Sequence, residues 1–516
     1  RADRGRRAGA VTSTATPGAG LLPARAARPI RAGERIHVIG AAGAGASAAV
    51  LHAAWAGADV DGCDPGGPSA YTSPITALDV PLVWEHAASH VTRTPPPERL
   101  AVTKALTAIA PDHPELAAAR AAGIPIEPWQ QVIADAASGR RLIGVAGTHG
   151  KSTTAGWLVH VLVDAGLDPS AFVGALLPPA LTGGPAATAR RGSGDAFVVE
   201  ADEYAGNFEA YRPSIAIVTS AEWDHPDVFA DRSAVVDAFV SWLRAAAATA
   251  DGGSGQPLAI IGLQGGGELV ADRLRGWPGR IVTTALVETS ERSGAGDAVT
   301  GRVLALDPDG STVEIDGLDA GGPRIARLAT AGLHNVRNAL GVAVAAREAG
   351  VPADVIVRAL GTFRGVGRRL ERLGDARGVV VYDDYGHHPT AIRMTLDAVR
   401  QREPGRRIWA VYEPLTYHRT AAMLDAFAEV LATADAVAIA DIWAGRDPDT
   451  TITSAAALAE AVAGRRPDIP VAAPGTVEAT AAWLAGEVRS GDAVLVMGGG
   501  KSTVIGRRLL EALADR

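Results

Sequence analysis

Short apolar runs alternate with longer stretches rich in alanine and leucine along most of the chain. The short runs carry many valines and isoleucines and end in glycine or polar residues, which is typical of buried strands. The longer stretches have the length and composition of helices. Strands that alternate with helices in this way form parallel sheets covered by helices. The pattern therefore predicts an α/β protein.

The predicted strands fall into three groups, which we interpret as three domains, as the chain length also suggests. We place them at 34–140, 141–362 and 363–516, after an extension at 1–33. The second group includes a predicted hairpin around 307–310 and a predicted helix after Gly332. Strands are expected near 35–40, 58–64, 100–106, 142–147, 196–201, 215–220, 258–263, 281–286, 379–383, 407–412, 436–441 and 493–497.

Composition narrows the class of protein. The 516 residues carry a net charge of −8 with acids and bases mixed along the chain, so no basic stripe favours nucleic acid. No run of about 18 apolar residues predicts a membrane span. The single cysteine, Cys63, excludes an internal disulfide and fits a reducing compartment, so we predict a cytoplasmic protein.

The first 33 residues are rich in Arg, Ala, Pro and Gly, and Asp3 is their only acid. Transit peptides share this composition, but the long apolar core of a secretory signal is missing. We expect a disordered extension or an artefact of the start site.

A glycine loop in the second group points to phosphate chemistry. Gly147-Thr-His-Gly-Lys-Ser-Thr153 follows a strand and opens a helix, an arrangement in which loop amides, the lysine and a hydroxyl can hold phosphates and Mg²⁺. Lys151 is one of only three lysines among 49 basic residues, which indicates a need for a compact charge. Val145 stands where the usual first glycine would be, so a simple turn with a surface lysine is the alternative.

The first glycine cluster of the chain, at Gly40, Gly43 and Gly45, lies between a strand and a helix in the first group. This context suits a diphosphate, and Asp64 follows the next strand where a ribose contact would fall. A tight turn without a ligand is equally compatible with the spacing.

Carboxylates follow two strands of the second group. Glu200-Ala-Asp-Glu203 and Asp224-His225 stand at strand ends in a domain with a phosphate loop, where Mg²⁺ ligands are expected. A solvated strand end is the alternative for the first motif.

Polar motifs also follow strands of the third group. Asp383-Asp-Tyr-Gly-His-His-Pro389 and Tyr417-His-Arg419 lie where open α/β sheets bind ligands. Gly498-Gly-Gly-Lys501 is similar to a phosphate loop, but we interpret it as a strand-to-helix turn because Leu495 replaces the first glycine.

From Arg35 to the carboxyl terminus, these motifs in this order resemble the Mur ligases of peptidoglycan synthesis. Besides the phosphate loop and the two carboxylate motifs, the resemblance rests on four segments: Thr107-Ala-Ile-x-x-x-x-Pro114-Glu115, His334-Asn335-x-x-Asn338, Gly365-Val-Gly-Arg-Arg369 and Asp383-Asp-Tyr-Gly-His-His-Pro389.

The resemblance implies a Rossmann-like first domain, a P-loop ATPase-like central domain and a Rossmann-like third domain. It implies an enzyme that uses ATP and Mg²⁺ to join L-alanine to UDP-N-acetylmuramate through an acyl phosphate, as a monomer or weak homodimer. A sister activity, which adds a recycled tripeptide to the same nucleotide sugar, is the alternative. An NAD-dependent oxidoreductase and a catalytically silent binding protein are further alternatives.

The resemblance also assigns roles to residues. Those implied in catalysis are Lys151, Glu200, His225, Arg369 and Asp384. Those implied in ATP binding are Gly147, Thr148, His149, Gly150, Lys151, Ser152, Thr153, Asn335 and Asn338. The implied metal ligands are Ser152, Glu200 and His225. Contacts to the UDP sugar are expected from Gly40, Gly43, Gly45, Asp64 and Thr107, and contacts to the amino acid from Tyr385, His387 and Arg419. Leu415 stands where this family commonly has histidine.

Overall fold

The protein is described here from a computed structural model, which covers residues 16–248, 256–288, 297–445, 447 and 449–515. Three sheets succeed one another along the chain, and most strand pairs are parallel. The predicted α/β class is therefore confirmed. None of the described helices is long and apolar enough to cross a membrane.

The first sheet has five strands in the order β3-β2-β1-β4-β5. All four of its strand pairs are parallel, and the strands are short. The elements are β1 (Arg35–Ile39), α1 (Ala44–Trp55), β2 (Asp59–Cys63), α2 (Ser73–Thr76), β3 (Leu82–Val83), α3 (Ser89–Thr92), β4 (Arg99–Val102), α4 (Lys104–Ile109), α5 (Pro114–Ala122), β5 (Ile126–Pro128) and α6 (Trp129–Ala136).

The middle sheet has ten strands in the order β15-β14-β13-β12-β11-β10-β6-β9-β7-β8. Its elements are β6 (Arg141–Ala146), α7 (Lys151–Asp164), β7 (Ser170–Leu177), α8 (Pro179–Thr182), β8 (Ala187–Arg190), β9 (Ala196–Glu200), a 3-10 helix (Tyr204–Ala210), β10 (Ile215–Val218), α9 (Arg232–Ala248), β11 (Leu258–Gly262), α10 (Gly267–Arg273), β12 (Arg280–Leu286), β13 (Ala298–Asp307), β14 (Gly310–Asp316), β15 (Arg324–Leu328), α11 (Leu333–Glu348) and α12 (Ala353–Thr362).

The third sheet has six strands in the order β16-β17-β21-β18-β19-β20, of which only the β16–β17 pair is antiparallel. Its elements are β16 (Glu371–Ala376), β17 (Val379–Asp384), α13 (Pro389–Arg402), β18 (Arg407–Glu413), α14 (Tyr417–Ala422), α15 (Leu424–Leu431), β19 (Ala436–Ala440), α16 (Ala455–Arg465), β20 (Val471–Gly475), α17 (Val477–Glu487), β21 (Asp492–Gly498) and α18 (Thr503–Ala514).

Both faces of the middle sheet are covered. Along β6, Ile143 and Val145 pack into one hydrophobic core and Ala146 packs into the core on the other face. A strand buried on both faces has no polar side to alternate with, which explains its uninterrupted apolar sequence. The polar residues that follow such strands are therefore gathered at the carboxyl edge of the sheet.

The predicted extension differs from the structure. Residues 16–33 pack against the first domain, where Arg25 forms ion pairs of 2.7 Å with Glu127 and 2.8 Å with Asp135. The expectation of disorder is wrong for this part, because its arginines pair with carboxylates that are otherwise buried in the domain. Residues 1–15 of the extension lie outside the described residues.

Candidate functional site

A cleft of about 780 Å³ lies where the three domains meet, lined by strand-end and loop residues from each of them. It faces the carboxyl ends of β6, β9 and β10 in the middle sheet and of β17 and β18 in the third. Ligands of open parallel sheets bind at this edge. Most of the residues with predicted roles are brought to this cleft.

The phosphate-type loop connects β6 to α7, which begins at Lys151. Gly147 has φ of +129°, and a Cβ there would lie 2.1 Å from Thr219 Oγ1. Gly150 has φ of +82°, and a Cβ there would lie 2.6 Å from Asn338 Oδ1. Only glycine fits both positions, so the backbone amides of the loop and of the first turn of α7 stay accessible to an anion.

Lys151 is held in its charged form at the mouth of this loop. Its Nζ donates to Gly147 O and to Glu203 Oε2, both at 2.8 Å, and lies 3.6 Å from Asp202 Oδ1. Burial alone would lower the pKa of Lys151, but Glu203 and Asp202 outweigh it and the pKa is raised. The side chain is thus a fixed point charge beside the loop.

Ser152, on the first turn of α7, meets a carboxylate and a cation from two other segments. Its Oγ donates to Glu200 Oε1 at 2.9 Å and accepts from Arg369 Nη2 at 2.8 Å. The other oxygen of Glu200 accepts from Gly174 N at 2.6 Å. Arg369 follows α12, so the linker to the third sheet reaches directly into the phosphate-type loop.

A second oxygen-rich group lies beside Lys151. One ligand atom each from Asp202, Glu203 and His225 lie within 4.8 Å of one another. The family resemblance implies that His225, Ser152 and Glu200 are metal ligands together. In the structure, Ser152 and Glu200 form one group, and His225 belongs to a neighbouring group with Asp202 and Glu203. Asp202 and Glu203 belonged to the recognised motif but received no role, because spacing alone did not show which carboxylates face the histidine.

Arg419 connects the third domain to this second group. Its Nη2 lies 2.9 Å from Asp224 Oδ1 and 3.1 Å from His225 Nδ1. Because a guanidinium only donates, His225 Nδ1 accepts here. Burial alone would raise the pKa of Asp224, but His225 and Arg419 hold it well below its usual range. Arg419 Nε has no hydrogen-bond partner, so this buried edge of the guanidinium retains a free donor.

Two predicted ATP-binding residues, Asn335 and Asn338, line the cleft from α11. Asn338 Nδ2 donates to Asn335 Oδ1 at 3.3 Å, and Asn335 Nδ2 donates to Ala331 O at 2.8 Å. Nearby, Thr390 Oγ1 donates to Glu222 Oε2 at 2.6 Å, and His149 Nε2 lies 3.4 Å from the same oxygen. Neither Glu222 nor Thr390 was predicted as a site residue, because a hydrogen bond between two domains leaves no pattern in the local sequence.

At the third-domain wall, Asp384 organises the backbone. Its carboxylate accepts from Leu370 N at 2.8 Å and from Gly386 N at 2.7 Å. Burial raises the pKa of Asp384, partly offset by Arg369. The Arg369 guanidinium stacks 4.9 Å from the centre of the Tyr385 ring. Asp384 thus fixes both the linker and the turn that carries Tyr385.

His387 and Leu415 complete the same wall. His387 Nδ1 lies 2.9 Å from Tyr385 O, so it donates to this carbonyl and Nε2 keeps its lone pair. Burial, reinforced by Arg419, lowers the pKa of His387 well below its usual range. Leu415 pairs with Trp443 in an isolated bridge and packs on Gly499, so this end of the cleft is apolar.

The first glycine cluster reaches the cleft at one position only. Gly45 lines it, and the ring of Trp129 packs where a Cβ of Gly45 would be, at 2.2 Å. Asp64 Oδ2 accepts from Ala42 N at 3.1 Å and so shapes the loop. Gly40, with φ of +80°, and Gly43, just before α1, lie on the same loop behind Gly45.

Thr107, like Gly40, Gly43 and Asp64, is a predicted sugar contact that does not line the cleft. It is 1% exposed, its Oγ1 accepts from Gly18 N at 2.8 Å and it donates to Lys104 O at 2.9 Å. Its hydroxyl is used by the amino-terminal segment. Lys104 instead links two domains, since its Nζ donates to Ala205 O and Gly206 O, both at 2.8 Å.

The glycine run near the carboxyl terminus is a strand-to-helix turn, as predicted. It joins β21 to α18, and a Cβ at Gly498 would lie 2.6 Å from Glu413 O. Gly499 borders the cleft, while Lys501 is exposed.

Three family models match successive parts of the chain. They are the Mur ligase family catalytic domain over residues 35–141, the Mur ligase middle domain over 145–346, and the Mur ligase glutamate ligase domain over 368–500. Among curated proteins, the UDP-N-acetylmuramate–L-alanine ligase of Frankia casuarinae is 37% identical over 93% of this chain and 98% of its own length. That of Mycolicibacterium smegmatis is 35% identical over 93% and 95%.

Solved structures share the fold. The UDP-N-acetylmuramate-alanine ligase of Thermotoga maritima superposes with a TM-score of 0.72 at 22% identity, covering 92% of this chain and 98% of that one. A murein peptide ligase of Psychrobacter arcticus superposes with a TM-score of 0.68 at 25% identity, covering 94% and 99%.

Proposed function

The chain belongs to the Mur ligase family, and from this premise we propose that it joins L-alanine to UDP-N-acetylmuramate with hydrolysis of ATP to ADP and phosphate. The observation that carries the proposal is the identity of 35–37% to curated ligases of this name over 93% of the chain. The charged Lys151 supports the proposal, because it lies beside a loop with two positions that only glycine fits, and that arrangement suits a nucleotide polyphosphate.

The donor set fits Mg²⁺. Ser152 and Glu200 offer hydroxyl and carboxylate oxygens, and Asp202 and Glu203 offer two further carboxylates beside His225. Oxygen ligands of this kind are those that Mg²⁺ prefers. When bound, Mg²⁺ would offset the charge that phosphates and carboxylate bring together. Ser152, Glu200 and His225 remain our proposed ligands.

The reaction makes an amide from a carboxylate in two steps. A carboxylate oxygen of the sugar attacks the γ-phosphorus, the bond to the β-phosphate oxygen breaks, and ADP leaves. The amine of alanine then attacks the acyl carbon, phosphate leaves, and a proton is released. Lys151 and Arg369 would stabilise the charge on the transferring phosphoryl group, since both lie beside the phosphate-type loop.

The amino acid would bind against the third-domain wall. Arg419 Nε is a free buried donor that suits the alanine carboxylate. His387 stays neutral because of its lowered pKa, so Nε2 can accept a hydrogen bond from the amine. Leu415 and Trp443 make this end of the cleft apolar, which suits a methyl side chain. We also propose that the enzyme is cytoplasmic, which its single cysteine supports, and that it is active as a monomer or weak homodimer.

The alternative acceptor is a recycled peptide, which the likeness to the murein peptide ligase supports. Phosphate release with UDP-N-acetylmuramate and ATP, measured with alanine, glycine, serine or L-Ala-γ-D-Glu-containing tripeptide, tests both proposals. We expect release with alanine. Release with the tripeptide alone would move the assignment to peptide recycling, and no release with any acceptor would reject ligation. An NAD-dependent oxidoreductase would instead bind nicotinamide and give no such release.

A further inference from the structure

The first domain holds a cluster of side chains that the proposed reaction does not use. It gathers four of the 12 histidines and the only cysteine of the chain around one glutamate. We call it the imidazole–thiol cluster, and its members are His37, Cys63, His86, His90, His113 and Glu115.

Four separate elements deliver its central members. His37 lies on β1, Cys63 ends β2, His90 lies on α3 and Glu115 lies in the first turn of α5. One ligand atom from each of these four lies within 4.8 Å of the others. The side chains of His37 and Glu115 are fully buried, and that of His90 is 13% exposed.

His37 is oriented by a second carboxylate. Its Nδ1 lies 3.1 Å from Asp61 Oδ1, and Arg93 Nη2 donates to the same oxygen at 3.0 Å. Its Nε2 faces Glu115 Oε2 at 3.5 Å and has no hydrogen-bond partner, although it is buried. Histidines that bind metals are held in this way, with one nitrogen on a carboxylate and the other directed at the ion.

Hydrogen bonding inside the cluster leaves several groups unsatisfied. Cys63 Sγ lies 3.3 Å from both oxygens of Glu115 and 3.3 Å from His86 Nδ1. Both ring nitrogens of His113 are buried and lack partners, as does His37 Nε2. A buried polar nitrogen without a partner is rare and costly, and an ion bound beside Glu115 accounts for that of His37.

We propose that His37, Cys63, His90 and Glu115 bind one Zn²⁺ ion. Sulfur, imidazole and carboxylate ligands together are typical of zinc and are unsuited to Mg²⁺ or Ca²⁺. His86 and His113 form an adjoining group with Glu115, in which one ligand atom from each lies within 4.8 Å of the others. Binding would release the thiol proton of Cys63 to solvent. The side chain of His86, 21% exposed, lies on the path to solvent.

The ion would tie α3 and α5 to the central strands of the first sheet. It would also stiffen the first glycine cluster, because the carbonyl of Cys63 accepts from Gly40 N at 2.8 Å and from Ala41 N at 3.1 Å. The role is therefore structural, in the domain that carries the proposed sugar contacts.

Co²⁺ added to the metal-free full-length protein tests the proposal by absorption. Because Cys63 is the only cysteine, a thiolate-to-cobalt charge-transfer band reports this site alone. We expect the band in the wild type at one Co²⁺ per chain, its displacement by Zn²⁺ and not by Mg²⁺, and its loss in Cys63→Ser. His90→Ala should weaken Co²⁺ binding at least about tenfold.

His160→Ala is the matched control, since His160 lies on α7 and bonds to Thr362. It should keep the band unchanged. A folded wild type without the band, or a band that persists in Cys63→Ser, would overturn the proposal. If Cys63→Ser does not fold, His90→Ala decides, because an unchanged Co²⁺ affinity in that folded variant also overturns it.

Discussion

The three lysines of the chain occupy different environments, which separates a binding role from a surface role. Lys151 is half-buried beside two carboxylates, Lys104 is bonded to carbonyls across a domain boundary, and Lys501 is exposed. Lys151 and Lys501 both follow glycine-rich turns, which are similar in sequence. Only Lys151 faces the cleft, so only its charge is placed to meet phosphate.

Lys151→Ala should therefore lower phosphate release at least about 100-fold, because a fixed positive charge at the transferring phosphoryl group is lost. Lys501→Ala is the matched control and should keep near-normal release. Circular dichroism should show both variants folded. Release within about tenfold of the wild type in folded Lys151→Ala would remove the ATP assignment.

Single residues also show the limit of prediction from sequence. Ser152 and Tyr385 reach the cleft because strand ends of parallel sheets share one edge, a rule that sequence reveals. Thr107 does not, because its hydroxyl bonds to a segment expected to be disordered. Glu222 was missed because its partner Thr390 is 168 positions away.

At the scale of elements, α7 depends on a glycine at each end. Gly150 precedes it with φ of +82° and Gly166 follows it with φ of +76°. The two differ in surroundings, since a Cβ at Gly150 would meet Asn338 whereas a Cβ at Gly166 would meet open space. The pair therefore separates backbone strain from steric conflict.

Gly150→Ala should raise the KM for ATP and lower stability, because the added methyl pushes Asn338 out of place. Gly166→Ala should cost about 1 kcal/mol of unfolding free energy and leave the KM for ATP unchanged. Steady-state kinetics and urea unfolding measure the two effects. Equal KM values in both variants would show that the loop does not hold the nucleotide.

The first domain is held together by a buried arginine. Arg99, with a side chain 3% exposed, lies 3.1 Å from Glu34, 2.8 Å from Glu127 and 2.6 Å from Asp135. These residues come from β4, β5, α6 and the turn before β1, so one guanidinium connects four parts of the domain.

Arg99→Ala should destabilise the first domain by about 3 kcal/mol, because the buried carboxylates then keep only the more exposed Arg25 and Arg28 as counter-charges. Arg31→Ala is the control: its side chain is 65% exposed and pairs with Glu98, so the loss should stay below about 1 kcal/mol. Urea unfolding compares them, and equal midpoints would contradict the role given to Arg99.

Elements were predicted unevenly for a physical reason. Interior strands such as β10 and β19 are buried along their length and apolar throughout, so their sequence reveals them. Edge strands such as β16 are largely exposed and polar, and the sequence analysis missed them. The hairpin of β13 and β14 was correctly predicted, because Asp307-Pro-Asp-Gly310 supplies its turn.

At the scale of the whole molecule, the first and middle domains share a hydrophobic core, in which the ring centres of Trp129 and Phe172 lie 5.2 Å apart. His52 Nε2 donates to Ala171 O at 3.0 Å between the first and middle domains. Gln401 Nε2 donates to Gly310 O at 2.6 Å between the third and middle domains. Polar contacts such as that of Gln401 can open without unfolding a domain, which fits a cleft that must admit two nucleotides.

Acid should destabilise the molecule in two steps. Burial lowers the pKa of His52 from 6.5 to about 4, so its stabilising neutral form is lost as pH falls through that range. Burial alone would raise the pKa of Glu34, but Arg28 and Arg31 lower it from 4.5 to about 2. Asp168, bonded to Ser193, has its pKa lowered from 3.8 to about 2.

Glu34 and Asp168 contribute fully to the free energy of unfolding above their pKa values in the unfolded chain. Their contribution disappears as pH falls toward 2. Urea midpoints measured stepwise from about pH 7 to pH 2 should decline first between about 6.5 and 4, then more steeply. His52→Asn should weaken the first decline only, which His52 shares with His334 and His388, because burial also lowers their pKa values to about 4. A midpoint independent of pH over this range would contradict both steps.

The rarity of lysine makes the chain its own reporter of domain opening. A protease that cuts only after lysine has three sites, one in each domain, and in the closed molecule only Lys501 is exposed to it. Brief digestion should thus remove only a short carboxyl-terminal peptide, as mass spectrometry would show. A later cut after Lys104 would mark separation of the first domain from the middle one, and a cut after Lys151 would mark loss of the nucleotide loop itself. The order in which the fragments form then gives the order in which the domains open, and no label has to be attached to the protein.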